Sequence, residues 1–162
     1  MKSQDPNREH LQSIISLFTQ GQLQQALSKA TQMLERFPNS VVLYNIAGAC
    51  NAGLMQFDAA ISSYKQALKI KPDYAEAYYN MSVALNDKGD LEAAIESYKQ
   101  ALKIKPDYAQ AYNNMGNIQK DKGDLEAAIE NYKKAIKIKP DYAQAHNNMG
   151  IALNHKGDLD AA

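Results

Sequence analysis

The amino-acid sequence predicts an all-α solenoid of antiparallel helix hairpins, on three observations. A 34-residue unit repeats along the chain, apolar residues fall at helical spacing inside each unit, and glycine and proline punctuate it at fixed points. The repeat is plainest in one tetrapeptide. Lys71-Pro72-Asp73-Tyr74 recurs as Lys105-Pro106-Asp107-Tyr108 and as Lys139-Pro140-Asp141-Tyr142, each copy 34 residues after the last. A looser copy, Phe37-Pro38-Asn39-Ser40, precedes them by the same interval. The chain therefore parses into an N-terminal tail (1–6), a degenerate capping unit (7–40), full units at 41–74, 75–108 and 109–142, and a truncated unit at 143–162.

The unit 75–108 shows why each segment should be helical. Tyr78, Met81, Ser82 and Leu85 follow i, i+3, i+4, i+7 and share one face of a first helix. Leu91, Ala94, Ile95, Tyr98, Ala101 and Leu102 do the same for a second. Between them stands Lys88-Gly89-Asp90, where glycine can take the left-handed conformation that ends a helix and aspartate can cap the next. Pro106 blocks further helix, and Lys99, Lys103 and Lys105 lie near the negative end of the helix dipole. The predicted pairs are 7–20/23–36, 41–53/57–70, 75–87/91–104 and 109–121/125–138, followed by a lone helix at 143–155. Without a second helix to cover them, Met149, Leu153 and Leu159 should be left exposed, which predicts end-to-end self-association or fraying of 158–162.

Composition removes several classes of function. Eighteen basic against eighteen acidic residues leave no net charge, so neither nucleic acid nor an anionic membrane surface is an expected partner. No apolar run approaches the ~18 residues that span a bilayer. Met1–His10 is polar and lacks the apolar stretch of a signal peptide, and the lone Cys50 makes an internal disulfide impossible, so a cytoplasmic location is expected. His155 lies nine residues after His146, off the i, i+4 spacing of paired metal ligands on a helix. No nucleophile–base pair or carboxylate dyad stands out, and no enzyme activity, metal or cofactor is expected. His10 and His146, at an otherwise aromatic repeat position, are expected to pack partly buried, and Cys50 to pack as a small hydrophobe.

These residues together resemble the tetratricopeptide-repeat (TPR) family. Its signature runs aromatic, leucine-like, small, bulky, alanine, aromatic, alanine, proline, and here reads Tyr78, Met81, Ser82, Leu85, Ala94, Tyr98, Ala101 and Pro106. The next unit repeats it as Tyr112, Met115, Gly116, Gln119, Ala128, Tyr132, Ala135 and Pro140, departing at Gln119. The unit 7–40 keeps only His10, Ala26, Met33 and Pro38. The resemblance implies a right-handed solenoid whose first helices line a concave surface that binds a polypeptide.

Asn80, Asn114 and Asn148 fall 34 residues apart on that face, with Tyr79, Asn113, Asn117 and Asn147 beside them. The arrangement is similar to the asparagine ladder in the TPR domain of O-linked N-acetylglucosamine transferases, which implies a grip on the backbone of an extended peptide. A carboxamide offers a donor and an acceptor and so matches a peptide unit. On this reading Asn80, Asn114 and Asn148 carry peptide affinity and little stability. Gln12 and Ile46 interrupt the ladder in the first two units. The other well-known TPR mode, a clamp for acidic chaperone tails, needs cations where Asn45, Glu76, Gln110 and Asn113 stand. The expected function is a scaffold that binds an extended, roughly neutral segment. The alternative is the N-terminal recognition module of a larger, glycosyltransferase-like enzyme whose catalytic domain follows residue 162.

Overall fold

A computed structural model describes residues 5–160 of the chain, with side chains described through 157. The chain divides into two compact units, Met1–Asp90 and Leu91–Ala162. The first carries α1 (Arg8–Thr19), α2 (Leu23–Arg36), α3 (Val41–Gly53), α4 (Phe57–Ile70) and α5 (Ala75–Lys88). The second carries α6 (Leu91–Ile104), α7 (Ala109–Asp121), α8 (Leu125–Ile138) and α9 (Ala143–Asp160). Among the described residues there is no strand, and the architecture is the all-α TPR solenoid.

The helix boundaries follow the expected punctuation. Gly89 ends α5 in the left-handed region at φ +92°, and Gly21 and Gly123 take the same conformation at the other turns. Asp124 caps α8 by accepting from the Ala127 amide at 3.1 Å, and Ser40 caps α3 by accepting from Leu43 at 3.2 Å. One turn breaks the rule. Met55 stands where the other units have glycine and is forced to φ +60°, its side chain three-quarters exposed. For an L-residue that conformation costs about 1–2 kcal/mol.

Packing within two hairpins, α3/α4 and α7/α8, turns on a glycine facing a tyrosine. A Cβ on Gly48 would meet the Tyr64 ring, and one on Gly116 would lie 2.7 Å from Tyr132 Cε1. Tyr64 and Tyr132 are thus laid against the bare backbone of α3 and α7, almost wholly buried. Gln119, the departure from the apolar pattern, is matched by a second polar residue: its carbonyl accepts from the buried Asn131 Nδ2 at 2.5 Å. In the first unit Ile14, Ala26, Ala30, Met33, Leu43 and Cys50 form one core, where Cys50 is fully buried and its thiol is pushed up by desolvation. In the second, Ala128, Ile129, Tyr132 and Ala152 form another, with Met149 packed on it.

Two expectations fail here. The last helix does not stop at 155 but runs through Gly157 to Asp160, because no second helix follows it among the described residues to reward a turn by burying its stripe. His10 and His146 are exposed rather than packed, and His146 Nε2 instead lies 2.8 Å from the Pro140 carbonyl. On α9, Met149 is half-covered while Ile151 and Leu153 stay 39% and 46% exposed. Leu159 and the expected fraying of 158–162 lie outside the described side chains.

Candidate functional site

The first helices bury alanine and methionine on one flank. On α5 this flank is Ala77, Met81 and Ala84, on α7 it is Ala111, Met115 and Ile118, and on α9 Ala145 and Ala152. Asn80, Asn114 and Asn148 each immediately precede the methionine position, about 100° around the helix from it. All three are therefore half-buried at the margin of the packed flank rather than fully solvated.

That margin is a hydrogen-bonded seam. In the first unit Asn80 Nδ2 donates to Asn45 Oδ1 at 3.1 Å, joining α5 to α3. In the second, Asn148 Nδ2 donates to Asn113 Oδ1 at 3.0 Å and to Asn117 Oδ1 at 2.9 Å, joining α9 to α7. Asn117 Oδ1 also accepts from the Tyr132 hydroxyl at 2.8 Å, and Asn113 Nδ2 donates to Asn114 Oδ1 at 3.3 Å. Both ladder contacts reach 35 residues back, to the residue just before the ladder position of the preceding repeat. Burial pushes the Tyr132 hydroxyl up to about 12, with the Asp121 carboxylate adding to the shift.

The seven candidates thus separate. Asn114, Asn148 and Asn117 come together on α7 and α9, half-exposed, with Asn147 exposed beside them. Asn80 and Tyr79 lie half-exposed on α5. Asn113 does not line an open surface: it is 0% exposed, turned inward as the acceptor for Asn148. Asn80 and Asn148 each hydrogen-bond from one first helix to the next.

A second periodic feature went unread in the sequence. Lys88 pairs with Asp58, Lys122 with Glu92 and Lys156 with Glu126, at 2.5 to 2.7 Å. In each case a lysine late in a first helix, or capping it, reaches an acid early in the second helix of the preceding hairpin. Hydrogen bonds from their lysines hold the Glu92 and Glu126 carboxyls below the usual carboxylate range. All three pairs are exposed, so each contributes little stability. The signal was there: both partners recur at 34 residues. Among the described residues no group of three or more metal-ligating side chains converges, and no helix is long and apolar enough to cross a membrane.

Comparison with known proteins agrees with the repeat fold. The family profile for the TPR repeat matches residues 56–85, 83–123 and 116–157. A probable UDP-N-acetylglucosamine–peptide N-acetylglucosaminyltransferase, SEC, from Arabidopsis thaliana is 34% identical over 74 residues. That match covers 46% of this chain and 8% of the plant protein, so the chain corresponds to a small part of it. The crystal structure of MamA superposes with a TM-score of 0.81 at 30% identity, covering 88% of this chain and 83% of that one. YrrB, described as a TPR protein with an unusual peptide-binding site, shares the fold at 18% identity and a TM-score of 0.73, over 96% of this chain and 80% of its own. With its 34-residue hairpins and a profile match over more than half its length, the chain belongs to the tetratricopeptide-repeat family.

Proposed function

We propose that this protein-interaction scaffold holds an extended peptide on the asparagine-rich face of its first helices. The observation that carries the reading is Asn148, half-exposed yet oriented by two hydrogen bonds that occupy its Nδ2. Its carbonyl oxygen is held in place with little side-chain freedom left to lose, which lowers the entropic cost of gripping a backbone N–H. Asn114 and Asn147 add further amides on the same face. Each neutral hydrogen bond contributes roughly 0.5–1.5 kcal/mol net, so three ladder positions amount to about 1.5–4.5 kcal/mol.

The test is a peptide-library pull-down, followed by titration of the best binder. Replacing Asn80, Asn114 and Asn148 together by alanine should weaken it roughly ten- to a thousand-fold. Because two of these residues also join helices, Asn114→Ala with Asn147→Ala is the matching variant that spares the Asn80 and Asn148 inter-helix bonds. Unchanged affinity in both variants would mean that the amide face is only a solvated and self-bonded surface.

A second reading is a recognition module within a larger glycosyltransferase-like enzyme, supported by the similarity to the plant transferase. A transferase domain encoded downstream in the same open reading frame supports it, and a stop codon after further repeats refutes it. End-to-end self-association is a further proposal, supported by the exposure of Ile151 and Leu153. Sedimentation should then show dimers that Leu153→Asn dissolves, and a monomer at all concentrations would contradict it.

A further inference from the structure

The repeat position that holds Asn117 on α7 is apolar in every other unit, where it carries Ile15, Ala49, Val83 and Ile151. A half-buried amide at such a position needs partners, and the second helix of the same hairpin supplies one. The Tyr132 ring lies against the bare backbone of Gly116, so its hydroxyl reaches the next residue and donates to Asn117 Oδ1 at 2.8 Å. The same oxygen accepts from Asn148 Nδ2 at 2.9 Å.

Two donors on one oxygen decide which way this carboxamide faces. Turning it over would set its NH2 against the Asn148 NH2 and strand the buried Tyr132 hydroxyl without an acceptor. The hydroxyl keeps its proton across the neutral range, because burial pushes it up to about 12. Asn117 Nδ2 is therefore turned away from both donors. Among the described residues it has no hydrogen-bond partner, and neither has Asn148 Oδ1, whose own nitrogen is committed to Asn113 and Asn117. No buried polar side-chain atom lacks a partner among the described residues, so both of these open atoms reach solvent. One donor and one acceptor thus stand on two amides that a hydrogen bond locks together.

We infer that Tyr132 is a positioning residue of the asparagine face, fixing Asn117 so that Asn117 Nδ2 and Asn148 Oδ1 form a donor–acceptor pair for a single residue of an extended peptide. In extended backbone a residue's own N–H and C=O point to the same edge, as when two residues of antiparallel strands exchange both bonds. Asn148 Oδ1 accepts from that N–H, and Asn117 Nδ2 donates to that C=O. The pair rests on the peptide-binding reading proposed above, and adds to it a buried hydroxyl that touches no ligand yet sets the grip.

The experiment is NMR on the full chain, read at the side-chain amides and titrated with millimolar acetyl-Thr-Val-Thr-Val-Thr-amide. In the free protein the Asn117 NH2 should be as rigid as the backbone by heteronuclear relaxation. Tyr132→Phe, which keeps the ring against Gly116, should set it moving. The same variant should weaken the peptide about two- to tenfold, the range of one hydrogen bond. Asn117→Asp keeps both acceptor bonds but has no N–H to offer. It should weaken the peptide at least as much, and it decides the matter of the pair even where Tyr132→Phe fails to fold. An Asn117 amide that is mobile in the unaltered protein, or equally rigid in Tyr132→Phe, overturns the positioning role. Undiminished affinity in Asn117→Asp overturns the pair, and the amide face survives without it if Asn148→Ala still weakens the peptide. Absence of any peptide shift on α7 and α9 overturns the peptide-binding reading and the pair together.

Discussion

Replacing Asn148 by alanine isolates what the asparagine seam does for the fold. The side chain donates to Asn113 Oδ1 at 3.0 Å and to Asn117 Oδ1 at 2.9 Å. Asn117 keeps the Tyr132 hydroxyl as a donor when Asn148 is gone, but Asn113 is 0% exposed and its acceptor is stranded. Leaving a buried acceptor unpaired costs about 1–3 kcal/mol, whereas alanine returns roughly 0.5 kcal/mol of helix propensity. The net expectation is a loss of roughly 0.5–2.5 kcal/mol, felt where α9 docks on α7. Asn147→Ala is the control: exposed and outside the seam, it should gain a few tenths of a kcal/mol from propensity alone. Repeat arrays need not unfold in one step, so urea denaturation by circular dichroism should be joined to hydrogen exchange resolved over 143–160. Asn148→Ala should speed exchange in α9 selectively. If the two variants prove equally stable with equal exchange in α9, the seam contributes nothing and this reasoning is wrong.

Three other outcomes are expected. Gly116→Ala places a methyl 2.7 Å from the buried Tyr132 ring, whose hydroxyl is tied to Asn117, and thermal melts should show a loss of about 1–3 kcal/mol. Met55→Gly relieves a left-handed residue at φ +60° and should raise the unfolding free energy, read from the denaturation midpoint, by a few tenths to about 1 kcal/mol, after the entropy of an added glycine is set against it. Tyr132 is neutral at physiological pH, and burial raises its folded value from 10.0 to about 12. Its contribution is therefore complete below pH 10 and lost as pH rises from there towards 12, because the unfolded chain ionises first. Alkaline unfolding followed by tyrosinate absorbance should be less steep in Tyr132→Phe, and an unchanged profile would refute that assignment.

Periodicity alone determined the helices of this protein, because each repeat states its helical pattern within one 34-residue window. Gly89, Gly123 and the Lys-Pro-Asp-Tyr turns act on their own neighbours, so their effect can be read without knowing what packs nearby. Met55 shows the limit of that reading: a turn that the sequence marks weakly still forms, because α3 and α4 on either side of it bury enough surface to hold a strained residue. Gly157 shows the converse, a local turn signal overruled where, among the described residues, no second helix packs back. The asparagine face lies between these cases. Its spacing was legible, since Asn80, Asn114 and Asn148 recur in register. Which amides face outward was not, because a hydrogen bond between Asn148 and Asn113 spans 35 residues and exists only once two hairpins have docked. A carboxamide reads the same in a sequence whether it serves a ligand or a neighbouring helix. Only tertiary packing decided that Asn113 turns inward while Asn147 stays in water.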